Sequence, residues 1–464
     1  MRKYLLVAFL LIGLILLLSG VLPQDKSENL QAAGSSARLV SVERLPEIEG
    51  EMCPPAEAPA NLIAALQPEP FARQTRGTSG RTGRGEDVSE RPPIRVIHDE
   101  FPEFSSVSVD TVHNEVAVTD ENMFSILVYD RLENTASGTA ISKPKRVIRG
   151  RKTNIQFTCG VFMDPQTGEI YALNNDTQDK LVVFSRDQEG DVPPTRMLQP
   201  PHAAFGIASD NDAGVFYLTI QHSHSVVVYR KGAQGNDDPI RLLQGNHTHM
   251  ANPHGIAIDT KNKLMFVSNQ GDSRTLLPPS DRPQLNEDGT LAAPATARKN
   301  WPTQRSENGS GRILPSSITV YPLDAEGDTA PLRVLTGPKT RINWPIGLAA
   351  DPDRHELYVA NDAGDSVLVF REDAAGDTAP VRVIQGPRTS IKNPTGLFLD
   401  RANNELWVSN FGSHTLTVFR PTADGDTPPL RTIRSAPAEQ PSLMISNPGA
   451  FAYDTKREQL LVAN

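Results

Sequence analysis

Two cysteines in 464 residues are too few for a scaffold stapled by disulfides, so the fold must rest on an apolar core. Cys53 and Cys159 either pair in an oxidising compartment or remain inert thiols. An excess of positive charge is also missing, because 46 Lys and Arg face 55 Asp and Glu for a formal charge of −9. Without a cationic field there is little to hold a polyanion, and nucleic acid is not an expected partner. Long helices are disfavoured by 38 Pro and 33 Gly, which sit outside helix interiors as a rule. Catalytic signatures are scarce too. No fixed Glu motif accompanies the histidines to serve as a base, and no Ser-His-Asp arrangement is legible.

One long apolar run is present, YLLVAFLLIGLILLLSGVL at residues 4–22, behind Arg2 and Lys3. It exports the chain, either as a signal peptide or as an uncleaved membrane anchor, and the two basic residues keep the N-terminus cytoplasmic. The LLSGV stretch resembles a lipoprotein box, but residue 21 is Val, which offers no thiol to acylate. Residues 1–23 are thus the signal or anchor. Residues 24–93, rich in Pro, Gly and Arg, read as a disordered tether. The expected location is exported and membrane-anchored, facing the periplasm or the cell exterior.

The rest of the chain repeats. NPHGIAIDTKNKLMFVSN (252–269), NWPIGLAADPDRHELYVAN (343–361), NPTGLFLDRANNELWVSN (393–410) and NPGAFAYDTKREQLLVAN (447–464) each read as strand, turn, strand. The Asp ending the first strand recurs seven times, as Asp110, Asp164, Asp210, Asp259, Asp351, Asp400 and Asp454. Third strands follow six times: ILVY, LVVF, VVVY, ITVY, VLVF and LTVF. A fourth strand carries Pro-x-Arg, as befits an outer edge where Pro need not donate to a ladder. Four antiparallel strands every ~49 residues describe the blades of a β-propeller. The expectation is all-β: a seven-bladed propeller of four-stranded antiparallel blades over residues 94–464. Its last blade is closed by the N-terminal strand near Ile94, and residues 271–314 form a loop inserted in blade 4.

These N-P-x-G-[IL]-x-x-D, L-[YWF]-V-[AS]-N and S-V-x-V-[FY] elements resemble the NHL and YVTN-type repeat proteins, extracytoplasmic propellers of six or seven blades. The resemblance covers residues 94–464 and implies a fold more than an activity. The family includes binding modules, and related propellers include lactonases and lyases.

Candidate sites fall on the face where strand 2 turns to strand 3, here called the top. The variable residue between Pro and Gly of each first strand should line the tunnel mouth, which selects Cys159, Phe205, His254, Ile346 and Thr395 as binding positions. Asn269, Asn361 and Asn410 end the second strands, either capping turns or forming a ring of amides suited to a sugar or peptide. Trp301, in the insertion, reads as an aromatic anchor. His222, His247, His249 and His254 offer imidazole nitrogens to zinc; calcium is the other metal considered. The function expected is a binding or scaffolding module, a monomeric propeller that meets an envelope or extracellular protein or a small ligand on its top face. The alternative is a metal-assisted lactonase or other hydrolase built on the histidines.

Overall fold

A computed structural model describes residues 99–136, 141–175, 178–272, 298–302, 314–438 and 440–442, together with the backbone of Phe451–Asp454 and Gln459–Val462. These all belong to the unit Pro92–Asn464. The expected leader at 1–23, the tether at 24–93, Cys53, the strand near Ile94 and most of the insertion lie outside the described residues. Among the described residues, no helix is long and apolar enough to cross a membrane.

Six four-stranded antiparallel sheets are present, each in simple sequential order. Their inner strands are Phe104–Asp110, Thr158–Met163, Ala204–Asp210, Pro253–Asp259, Pro345–Asp351 and Pro394–Asp400. Each packs beside the next, and the sixth packs back onto the first. The second strands are buried along nearly their whole length, because both faces of every sheet are covered by a neighbour.

The seven-blade expectation is overturned by the way this ring closes. Six apolar layers lie between six pairs of adjacent blades. The closing layer brings Phe104, Val107 and Tyr129 of blade 1 against Trp407, Leu416 and Val418 of blade 6. The seventh inner pair, Phe451–Asp454 with Gln459–Val462, forms a separate two-stranded sheet. No N-terminal strand completes a blade among the described residues. Blade 1 instead meets the outer strand of blade 6, as Thr135 and Ser142 donate backbone N–H groups to the carbonyls of Thr432 and Arg434, each at 2.8 Å.

The physical reason for six is the closeness of the inner strands. A Gly near the start of the inner strand faces the backbone of the next blade: a Cβ at Gly255 would stand 1.9 Å from the Ile346 carbonyl oxygen, and one at Gly160 would stand 2.7 Å from that of Phe205. Hydroxyls on the second strands complete the contact, as when Ser268 Oγ donates to the Ile346 carbonyl at 2.7 Å. Such close approach sets the angle between blades, which a count of repeats leaves open.

The repeated polar residues serve the scaffold. Asp110, Asp259 and Asp400 accept backbone N–H groups of their own bottom turns. The Arg of the fourth strand reaches across the sheet to a Glu opening the second, in the pairs Arg146–Glu115, Arg196–Glu169, Arg382–Glu356 and Arg431–Glu405. The Asp of each Gly-Asp turn clasps the preceding blade: Asp191, Asp377 and Asp426 accept the backbone N–H groups of Lys152, Lys339 and Arg388 at 2.7 Å.

Candidate functional site at the top of the tunnel

The inner strands surround an axial cavity of about 250 Å³. Cys159, Phe205, Ile346 and Thr395 line it. Each inner strand carries a register shift at this upper end. Bulges of this kind commonly re-aim a side chain at a site. The wall is mainly apolar, with Gly206, Gly255, Gly347 and Gly396 exposing backbone between the side chains.

His254 is buried beside this wall, its ring 4.2 Å from that of Phe205. Its Nδ1 faces the Asn252 carbonyl at 3.0 Å, so Nδ1 carries the proton and Nε2 is an acceptor. Burial pushes its pKa down to about 4, with nearby His222 adding to the effect. It is therefore neutral at physiological pH.

A polar chain sits over blades 2 and 3. The Asp179 carboxylate receives the backbone N–H of Ala203 and lies 3.1 Å from His202 Nδ1, whose Nε2 is 3.2 Å from His222 Nδ1. With Asp179 accepting from His202 Nδ1, the His202 Nε2 accepts in turn from His222 Nδ1. Asp179–His202–His222 is thus an oriented acid–base relay, partly open to solvent. Asp179 was not singled out in the sequence. Its signal was its place just before the third strand, the slot also held by His224, Asp365 and His414. There, His224 and Asp365 accept the backbone N–H groups of Asn252 and Asn393.

The four histidines considered as zinc ligands are divided in space. His247 is bound to the Asp328 clasp through its backbone N–H at 2.8 Å and its Nδ1 at 2.6 Å. His249 caps the same short turn in a left-handed conformation, as Asn154, Arg341 and Ser390 do in other blades. His254 packs on Phe205 of the tunnel wall, with His222 nearby. Among the described residues these four do not form a close ligand group; the one that does is Asp99, Glu103 and His414.

The strand-end amides are buried and engaged within their blades. Asn269, Asn361 and Asn410 accept backbone N–H groups from Ala251, Asn343 and Lys392. Their NH₂ groups donate to Thr319, Ser366 and Thr417. Trp301 lies away from the mouth. Arg298 stacks on its ring at 3.5 Å and pairs with Asp238 at 2.6 Å, fixing this piece of the insertion to the turn between the outer strands of blade 3.

A further top-face residue was passed over. Trp344 is 48% exposed and holds φ of 58°. Asn252 and Asn393 occupy the same left-handed slot in the neighbouring blades. Asn tolerates that conformation, whereas a bulky aromatic is strained in it. The signal was in the repeat itself, where N-P becomes N-W-P at Asn343-Trp344-Pro345.

The architecture defines the class: a six-bladed β-propeller with a lined axial tunnel. No family model matches the chain, and no curated protein matches it. Among solved structures it is similar to a hydrazine synthase from Kuenenia stuttgartiensis, at 14% identity and a TM-score of 0.44, over 72% of this chain and 100% of that one. The propeller assignment rests on the six sheets and their closure.

Proposed function

We propose that this chain is an extracytoplasmic binding module of the NHL/YVTN type that takes a small ligand, or a projecting group of a protein partner, at the top mouth of the tunnel. The apolar run at 4–22 supports export and anchoring there. A propeller with a narrow apolar tunnel is consistent with binding or scaffolding. The observation that carries the reading is Trp344, a large aromatic kept exposed in a strained left-handed slot that the two neighbouring blades fill with Asn and blade 3 with Ala203. Strain of about 1 kcal/mol at an exposed apolar residue is better accounted for by a contact with a partner than by the scaffold.

The ligand has an apolar face for Trp344 and Phe205 and a hydrogen-bonding head for the His222–His202–Asp179 chain. The hydrolase alternative draws on that relay as an acid–base group, but the four histidines offered for its metal are held apart on different features. Fluorescence titration with a panel of short peptides and sugar oligomers tests the reading. Binding should quench Trp344 and be lost in Trp344→Asn, a change that leaves the melting temperature equal or higher. A panel without effect, or full binding by Trp344→Asn, refutes it.

A further inference from the structure

At the seam where blade 6 meets blade 1, Asp99, Glu103 and His414 each offer one ligand atom within 4.8 Å of the others, and all three are buried. The opposite atom of each side chain is already fixed. Asp99 Oδ1 accepts the backbone N–H of Phe101 at 3.0 Å, and Glu103 receives the Ser442 hydroxyl on Oε1. His414 Nδ1 faces the Pro102 carbonyl at 2.7 Å, so its proton is there and the Nε2 lone pair points the other way. That Nε2 lies 3.3 Å from Asp99 Oδ2.

Three electron-rich atoms thus converge in a buried site. Glu103 Oε2 and His414 Nε2, both on side chains of 0% exposure, have no hydrogen-bond partner among the described residues. Buried polar atoms left in this way are costly, and two ionised carboxylates at this range repel unless a cation or a shared proton lies between them. Two ligands held 2.0–2.1 Å from a tetrahedral zinc stand about 3.3 to 3.4 Å apart, which matches the His414–Asp99 separation. A histidine that donates its second N–H to a backbone carbonyl is the usual arrangement of a metal-bound imidazole.

We infer that Asp99, Glu103 and His414 form a site for one divalent transition-metal cation, of which zinc is the best match, that fastens blade 6 to blade 1. Two carboxylates neutralise its charge. The imidazole favours zinc over calcium, which prefers an all-oxygen shell. The role is structural: Asp99 and Glu103 lie on the lead-in to the first inner strand, whereas His414 lies on the top loop of the last blade. The tie therefore falls at the closure, where no covalent link joins the ring among the described residues. It is separate from the His222 relay.

The test uses the full-length chain, stripped with EDTA and dialysed against zinc, manganese or calcium, with bound metal read by elemental mass spectrometry. About one equivalent of zinc should be retained. Glu103→Gln and Asp99→Asn, which keep the shape of the site, should each weaken binding by about tenfold or more. EDTA should lower the melting temperature of the parent by about 5 °C while scarcely moving that of either variant. Cobalt in place of zinc should give visible bands of a mixed nitrogen–oxygen site. His222→Ala should bind as the parent does. Failure to retain metal, with a melting temperature indifferent to EDTA, would show that protons alone hold the cluster and would overturn the inference. So would equal binding by both carboxamide variants, or loss of metal in His222→Ala.

Discussion

Replacing Gly255 by alanine would place a methyl group 1.9 Å from the Ile346 carbonyl oxygen and 2.9 Å from Ser268 Oγ. The oxygen belongs to the inner strand of the next blade and cannot rotate aside, so the two blades must part. Overpacking of this kind costs about 1 to 3 kcal/mol or more. The same movement disturbs two hydrogen bonds, from Gly255 N–H to Ser268 Oγ and from that hydroxyl to the Ile346 carbonyl, both 2.7 Å. Each contributes roughly 1 kcal/mol. Reduced freedom of the unfolded chain offsets about 0.4 to 1 kcal/mol. The expected net loss is about 3 kcal/mol, read by urea denaturation of parent and variant. Gly232→Ala is the control, because a Cβ there meets nothing within 4 Å. A Gly255→Ala protein within about 0.5 kcal/mol of the parent would refute the account of how the inner strands set the ring.

Three further outcomes follow from the charges. Burial and the neighbouring Asp259 carboxylate push Glu372 up from 4.5 to about 7. The folded chain then keeps a proton that the unfolded chain releases, so stability falls between pH 4.5 and 7 and stays lower above that. Glu372→Gln should abolish this decline, at most about 3 kcal/mol, in melts across pH 4 to 8. Burial works against ionised Glu115, but its bonds to Arg146 and Lys145 prevail and lower it from 4.5 to about 2. Its contribution, present above pH 4.5, should vanish as pH falls towards 2, and Glu115→Gln should lose about 2 kcal/mol at pH 7 yet little at pH 2. Asp426→Ala removes the clasp on Arg388 N–H and should cost about 1 kcal/mol by thermal melting.

Much of this protein was legible because a propeller writes its local structure many times. Alternating apolar runs placed the third strands and the recurring run ending in Asp placed the inner ones, while Cys159, Phe205, Ile346 and Thr395 line the tunnel. The histidines were harder to read. His247 and His254 are seven residues apart in the chain, yet one grips Asp328 on the clasp and the other stacks on Phe205. Asp179 could have been found from its repeat slot before the third strand, and Trp344 as an exception to its own. The grouping of Asp99 and Glu103 with His414 joins residues about three hundred positions apart, and no local pattern marks it.

What the sequence by itself determined was the hairpin unit, its period, its turns and its outward-facing edge, since these follow from side-chain alternation and turn chemistry within a few dozen residues. The number of blades was decided only by tertiary structure. Seven inner-strand motifs were available, but closure depends on the angle between sheets. That angle is set by backbone contact across glycines and by the apolar layer of Phe104, Tyr129, Trp407 and Leu416 where the sixth blade meets the first.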